Sequence, residues 1–260
     1  FDFFELLDSV TIARSRKHIE KYYDKSDIGS FPTRLAPINK SPKLTDLPIT
    51  YDNIFGFIDQ MNLEVYNPLK YVHASKIDKY IDPTRPNAGS WANREKGRNQ
   101  LMITNLLKRA ESSIYAFRLT GERILDNINT KLETIANYEN YHTGSVVTDE
   151  DDHFDDEAFT VGKDLKIDLA DMDYVSWQQQ LLADRNVFES MLTVVNKITP
   201  MHDTKMAELK TIIRNKIQHP INAGNKKILI FTAFADTADY LYNNLADELL
   251  ENEKSHTALI

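Results

Sequence analysis

The densest group of chemistry-bearing side chains is the string Val146-Val-Thr-Asp-Glu-Asp-Asp-His153, and carboxylates at that density are the natural ligands of a divalent cation. It imitates a magnesium-binding carboxylate box. A carboxylate of that kind must end a buried strand, and two valines between Gly144-Ser145 and a run of acids do not make one, so the string reads as a solvated loop. With His142 and His153 the same acids could mimic a nuclease carboxylate set or bind a cation weakly, but such a site needs ligands held in fixed positions. No metal site is assigned. The phosphate cradle Gly-x-x-x-x-Gly-Lys-Ser/Thr is missing as well: Gly162-Lys163 is followed by Asp164 and has Glu157 where the first glycine should stand. No serine sits in a nucleophile elbow, and the seven histidines show no paired spacing on a helix. His18, His202 and His219 read as helix-end or surface residues, which leaves the chain without a catalytic candidate.

Basic side chains offer a second chemistry. Arg14, Arg16 and Lys17 cluster near the start, and Lys108 and Arg109 belong to a longer series with Arg94, Lys96, Arg98, Arg118 and Arg123. A planar guanidinium bridges phosphates or carboxylates bidentately, so such faces suit a nucleic-acid backbone read without regard to base sequence. The same faces could be solvated, or could pack against the acidic loop or another domain.

The elements that would position these groups are mostly helices. With 42% apolar and 27% charged residues, eight Gly and nine Pro in 260 residues, the composition is that of a helical globular protein large enough to bury a core. Cysteine is absent, which excludes disulfides and thiolate metal sites and fits a reducing cytoplasm. No run of about 18 apolar residues could span a bilayer, so no membrane partner is expected. The net charge of −8 is unevenly placed: in Thr148 to Asp173 eleven acidic residues face Lys163 and Lys166, which leaves the rest of the chain slightly positive. The chain starts at Phe1 and ends in the apolar Thr257-Ala258-Leu259-Ile260, which suggests a piece of something longer.

Apolar spacing predicts one helix or two within Phe3–Tyr23, helical structure over Asp52–Tyr80, one or two long helices over Asn93–Tyr138 with Gly121 as a soft point, and helices over Asp171–Lys197 and Asp203–Lys216. Asp203 or Thr204 would cap the last of these. Five breakers, Gly29, Pro32, Pro37, Pro42 and Pro48, mark a connector. After the turn of Pro220, Asn222, Gly224 and Asn225, Ile228-Leu-Ile-Phe231 reads as a short buried strand and Asp236–Leu250 as the helix crossing back over it, with Thr257–Ile260 as the next strand.

That C-terminal stretch, DTKMAELKTIIRNKIQHPINAGNKKILIFTAFADTADYLYNNL from Asp203 onward, resembles the entry into the second RecA-like lobe of Swi/Snf-like superfamily II ATPases. There an Asp-x-Lys-x-x-x-Leu helix precedes a lysine-led strand, a Phe-Thr-x-Phe turn and a helix. LLDSVTIARSRKHIEKYY resembles the arginine-rich segment after motif III, and Leu106 to Ser113 resembles a phrase of bacterial helicases of this group. The resemblance implies a mainly α chain with a small α/β portion: residues 1–48 ending the first motor lobe, 49–220 a helical inter-lobe region with an acidic loop at about 142–172, and 221–260 opening the second lobe. It implies that Phe231, Thr232, Ala233, Phe234 and Asp236 are the motif IV contact to nucleic acid, helped by the basic segment Arg14, Arg16, Lys17, Lys108 and Arg109. A helix start attracts phosphate through its backbone N–H groups. DNA and the remaining lobes in cis would be the partners. ATP and magnesium would serve the parent protein and not this chain, which would be inactive alone. The competing reading is a helical protein-interaction module of a defence or restriction system, with the acidic loop as its docking surface.

Overall fold

A computed structural model of the chain describes residues 16–23, 35–44, 47, 49–80, 91–141, 144–148 and 165–260. The chain divides into two compact units, one formed by residues 1–41 with 220–225 and the other by residues 42–219 with 226–260. In the first, α1 (Arg16–Tyr22) is the described helix, and the turn at Pro220–Asn225 closes with the Asn225 N–H donating to the Asn222 carbonyl at 3.0 Å. Gly224 takes a left-handed φ of 74° in that turn, a conformation a side chain would disfavour.

The second unit carries the core. Its framework is α2 (Tyr51–Ile58), α3 (Trp91–Ser112), α4 (Ile114–Tyr141), β1 (Ser145–Thr148), β2 (Leu165–Asp168), α5 (Tyr174–Val195), α6 (Thr204–Gln218) and α7 (Ala235–Glu253). Phe117, Ile124, Ile128 and Ile135 form one stripe of α4, and Trp177, Leu181, Phe188, Met191 and Val195 form the matching stripe of α5. The spacings of three, four and seven keep each set on one face, so the two long helices bury them together. Each such side chain gives about 2 kcal/mol of burial. Gly121 does not interrupt α4: it is buried, and an added Cβ would stand 2.6 Å from Met191 Cε. The helical run breaks earlier, at Ser113, whose N–H donates to the Arg109 carbonyl and whose hydroxyl accepts from the Ala116 N–H at 3.1 Å. One residue thus ends α3 and caps α4.

The helical pattern expected through Tyr80 stops at Ile58. Thr50 and Asn53 form a reciprocal capping box that starts α2, but beyond it the chain runs through three short 3-10 turns. Tertiary ties outweigh local periodicity here. The buried Asp184 of α5 accepts the Asn62 and Glu64 N–H groups at 2.7 and 2.8 Å, and Trp177 Nε1 donates to the Glu64 carbonyl at 2.9 Å. Between those two N–H groups Leu63 adopts a left-handed φ of 55° and is wholly buried.

β1 and β2 pair antiparallel, with Val146 opposite Ile167, and both of these side chains are buried. This corrects the reading of Val146-Val147 as loop: Ile167 and Lys166, far along the chain, supply the ladder partners that the local sequence lacks. The carboxylates of residues 149–164 lie outside the described residues. The expected buried strand at Ile228–Phe231 is also corrected. Residues 226–232 are non-helical and form no ladder, and Leu229 and Phe231 are 80% and 89% exposed. A strand needs a neighbour to satisfy its backbone, and none of the described residues supplies one. Thr257–Ile260 likewise forms no strand. The protein is mainly α with a small β portion, and that portion is the two-stranded sheet at 145–168. Among the described residues no helix is long and apolar enough to cross a membrane.

Candidate functional site

Chemistry-bearing side chains converge where α7 begins. Phe234 is its N-cap and brings no side-chain cap; the carboxylate of Asp236, on the first turn, supplies the negative charge that a helix start favours. Three further bonds fix that carboxylate. Arg123 of α4 grips it with both guanidinium ends, Nη1 to Oδ2 at 3.1 Å and Nη2 to Oδ1 at 3.0 Å, and Arg109 of α3 donates from Nη1 to Oδ2 at 2.8 Å. The Arg109 guanidinium also stacks over the Phe234 ring at 4.6 Å. Arg109 is 1% exposed and its buried charge is opposed by Asp236; loss of one partner from such a buried pair costs about 3–5 kcal/mol. Arg123 is the outer member, 45% exposed.

A hydroxyl seam runs beside the ion cluster. Thr237 Oγ1 lies 2.9 Å from both Ser112 Oγ and Ser113 Oγ, and Thr232 Oγ1 lies 3.4 Å from Ser112 Oγ. α6 joins at the same junction. Asp203 caps it by accepting the Met206 N–H at 3.0 Å, and its second oxygen accepts the Tyr240 hydroxyl at 3.0 Å. Lys205 donates to the Glu111 carbonyl, and to that of Ser112 at 3.2 Å, so it covers the open carbonyls at the end of α3. Tyr240 stacks on Tyr115 at 5.0 Å, and Arg118 lies over the Tyr115 ring at 5.0 Å. Burial first, and then the charge of Asp203, push the Tyr240 hydroxyl well above its ordinary pKa, so it remains a donor. A cavity of about 200 Å³ opens beside it, lined by Arg118, Asn196, Thr199, Asp203, Tyr240 and Asn244 among others.

The structure brings Phe234, Asp236 and Arg109 together and sets Thr232 at their edge. Ala233 is exposed, and Phe231 projects away into solvent. Arg109, expected on a face for the DNA backbone, is instead spent on Asp236, because that pairing is what allows a guanidinium inside. Lys108, its neighbour, is exposed. Arg14 lies outside the described residues; Arg16 and Lys17 fall in the backbone of α1, and the described side chains begin after them. Ser112, Ser113 and Thr237 were not legible as site residues, since a pair of serines at a helix break and a threonine in a first turn are ordinary cap chemistry. An acid one turn from a lysine-led apolar run was the available signal for an arginine partner.

In comparisons with known proteins, no family model, no curated protein and no solved structure matches this chain.

Proposed function

We propose that the chain is part of a Swi/Snf-like DNA-dependent ATPase, supplying backbone contacts to DNA and coupling between the motor lobes, with ATP bound and hydrolysed by parts of the parent protein outside it. The observation that carries this reading is the state of residues 226–232. Ile228 and Ile230 are 36% and 44% exposed while their alternating neighbours Leu229 and Phe231 stand at 80% and 89%. All four side chains are exposed on a non-helical apolar segment that leads directly into a helix, and among the described residues it joins no ladder and has no covering layer, so it is a surface that calls for a partner. A motor lobe would supply one. The order of a capped Asp-x-Lys helix, an apolar extended segment and a helix also agrees with the resemblance that Asp203 to Leu245 carries.

No residue of this chain is assigned to ATP. Of the basic segment's residues whose side chains are described, Lys108 is the exposed one and could meet a phosphate backbone. A fluorescence-anisotropy titration of the chain with duplex and single-stranded DNA tests the assignment. Phosphate contact predicts that log affinity falls linearly with log salt, losing roughly 0.9 per phosphate neutralised on duplex, and that no ATP turnover accompanies binding. Absence of DNA binding at low salt sinks the motor reading. It would favour the helical interaction module, for which the apolar Leu229 and Phe231 are the observation in hand.

A further inference from the structure

The second unit has two apolar cores, and a polar seam joins them. One core holds α4, α5 and their surroundings; the other consists of Met206, Ile213 and Ile217 of α6 with Tyr240, Leu245 and Leu249 of α7. Almost everything described between the α3–α4 junction and the α6–α7 pair is polar: Asp236 on Arg109 and Arg123, Thr237 on Ser112 and Ser113, and Lys205 on the Glu111 and Ser112 carbonyls. The rings in the seam are Phe234, under the Arg109 guanidinium, and Tyr115 stacked on Tyr240, which borders the cavity of about 200 Å³. Interiors are close-packed, whereas surfaces that part and re-form are polar and imperfectly filled.

We propose that this seam is a joint: α6 and α7 swing as one body against α3–α5, and Asp236 is the latch that holds the closed position. Three features fit a latch better than plain glue. Asp236 is the one acid that draws both guanidiniums inward, so its release unbinds two helices at once. The hydroxyl pairs can exchange their partners for water with little loss, because a hydroxyl hydrogen bond nets only about 1 kcal/mol. The α6–α7 body keeps its own clasp when the seam opens, since Glu248 of α7 binds Lys210 and Arg214 of α6. The joint's use as an inter-lobe hinge rests on the motor reading. Whether the seam opens does not.

Residue-resolved hydrogen exchange on the intact chain tests it. Parted from the main core, α6 and α7 have only each other to pack on and their helices fray, so in the native protein amides of 213–217 and 240–249 are expected to exchange at least about tenfold faster than those of 124–135 and 181–192, by an opening that leaves the latter protected. One common rate for the two sets overturns the proposal. Asp236→Asn is expected to speed exchange of the first set by a further factor of about a hundred or more, with the second set unmoved; unchanged exchange in that variant removes Asp236 as the latch and overturns the proposal too. Should Asp236→Asn fail to fold, Ser112→Cys/Thr237→Cys provides the second arm, on a chain that has no cysteine of its own. Its disulfide form should slow the α6–α7 amides to the rate of the main core, and a disulfide without that effect counts against the joint. A protein that shows the opening but binds no DNA keeps the joint and loses only the motor.

Discussion

Asp184 shows how far one side chain can reorganise a segment. Its two oxygens receive separate N–H groups, from Asn62 and Glu64, so an amide is a poor substitute: it would point its own hydrogens at one of those donors. Asp184→Asn is expected to cost about 2 kcal/mol and Asp184→Ala about 3–4, the latter adding a second orphaned donor and a void, as read from urea unfolding midpoints. Burial pushes the carboxyl above its ordinary pKa, while the same N–H donors pull it down, and burial is the larger effect. The folded state therefore holds this proton at pH values where the unfolded chain has lost it, and the stability Asp184 contributes falls as pH rises through that window. The deficit of Asp184→Asn should thus be greater near pH 4 than near pH 7; a deficit that grows toward neutral pH would show the hydrogen bonds outweighing burial. Leu63, between the two donors, makes the same point about backbone. A left-handed leucine is strained by about 1 kcal/mol or more, yet burying its side chain is worth more, so Leu63→Gly should destabilise by about 2 kcal/mol even though it relieves the strain.

At the scale of elements, the close passage of α4 over α5 hinges on Gly121. An added methyl would meet Met191 Cε at 2.6 Å and Leu192 Cδ2 at 3.3 Å. The first is the far end of a flexible side chain, so Gly121→Ala sets a modest repacking cost against a gain of up to about 1 kcal/mol in helix propensity and should change stability by less than about 1 kcal/mol. Gly121→Val has no such compensation and should lose about 2–3 kcal/mol, checked by thermal unfolding. The sequence made this region legible as helix but misplaced its break, because Gly is the weaker breaker when the packing demands its small size, and Ser113 is the stronger one when its hydroxyl caps the next turn. Helices whose apolar stripe runs for three turns or more, α3 to α7, could be read from spacing, and Asp203 could be read as a cap. The 3-10 turns after Ile58 and the β1–β2 pair could not. Both are set by partners far away in the chain, Asp184 for the first and Ile167 for the second, and periodicity contains no record of them. The site was half legible for the same reason. Phe234, Asp236 and Arg109 could each be singled out, but that Arg109 would face Asp236 and not solvent depends on how α3 meets α7.

For the whole molecule, the question is what the exposed apolar segment does in water. Leu229 and Phe231 are 80% and 89% exposed, Ile228 and Ile230 36% and 44%, and this non-helical apolar stretch joins no ladder among the described residues, so it can serve another chain as an edge to dock on. Soluble proteins normally blunt such edges, and the two lysines just ahead, Lys226 and Lys227, are the charges that stand guard here. The chain on its own should therefore bind a hydrophobic dye at this edge and self-associate reversibly as its concentration rises. Leu229→Ser/Phe231→Ser should abolish both effects, as seen by dye fluorescence and sedimentation velocity, without moving the thermal midpoint by more than about 2 °C, since neither side chain gives up appreciable burial. A large fall in the midpoint would mean that these residues are packed in solution and that the strand is already complete within the chain. In that case the segment needs no further layer, and the chain offers a motor lobe no open surface here.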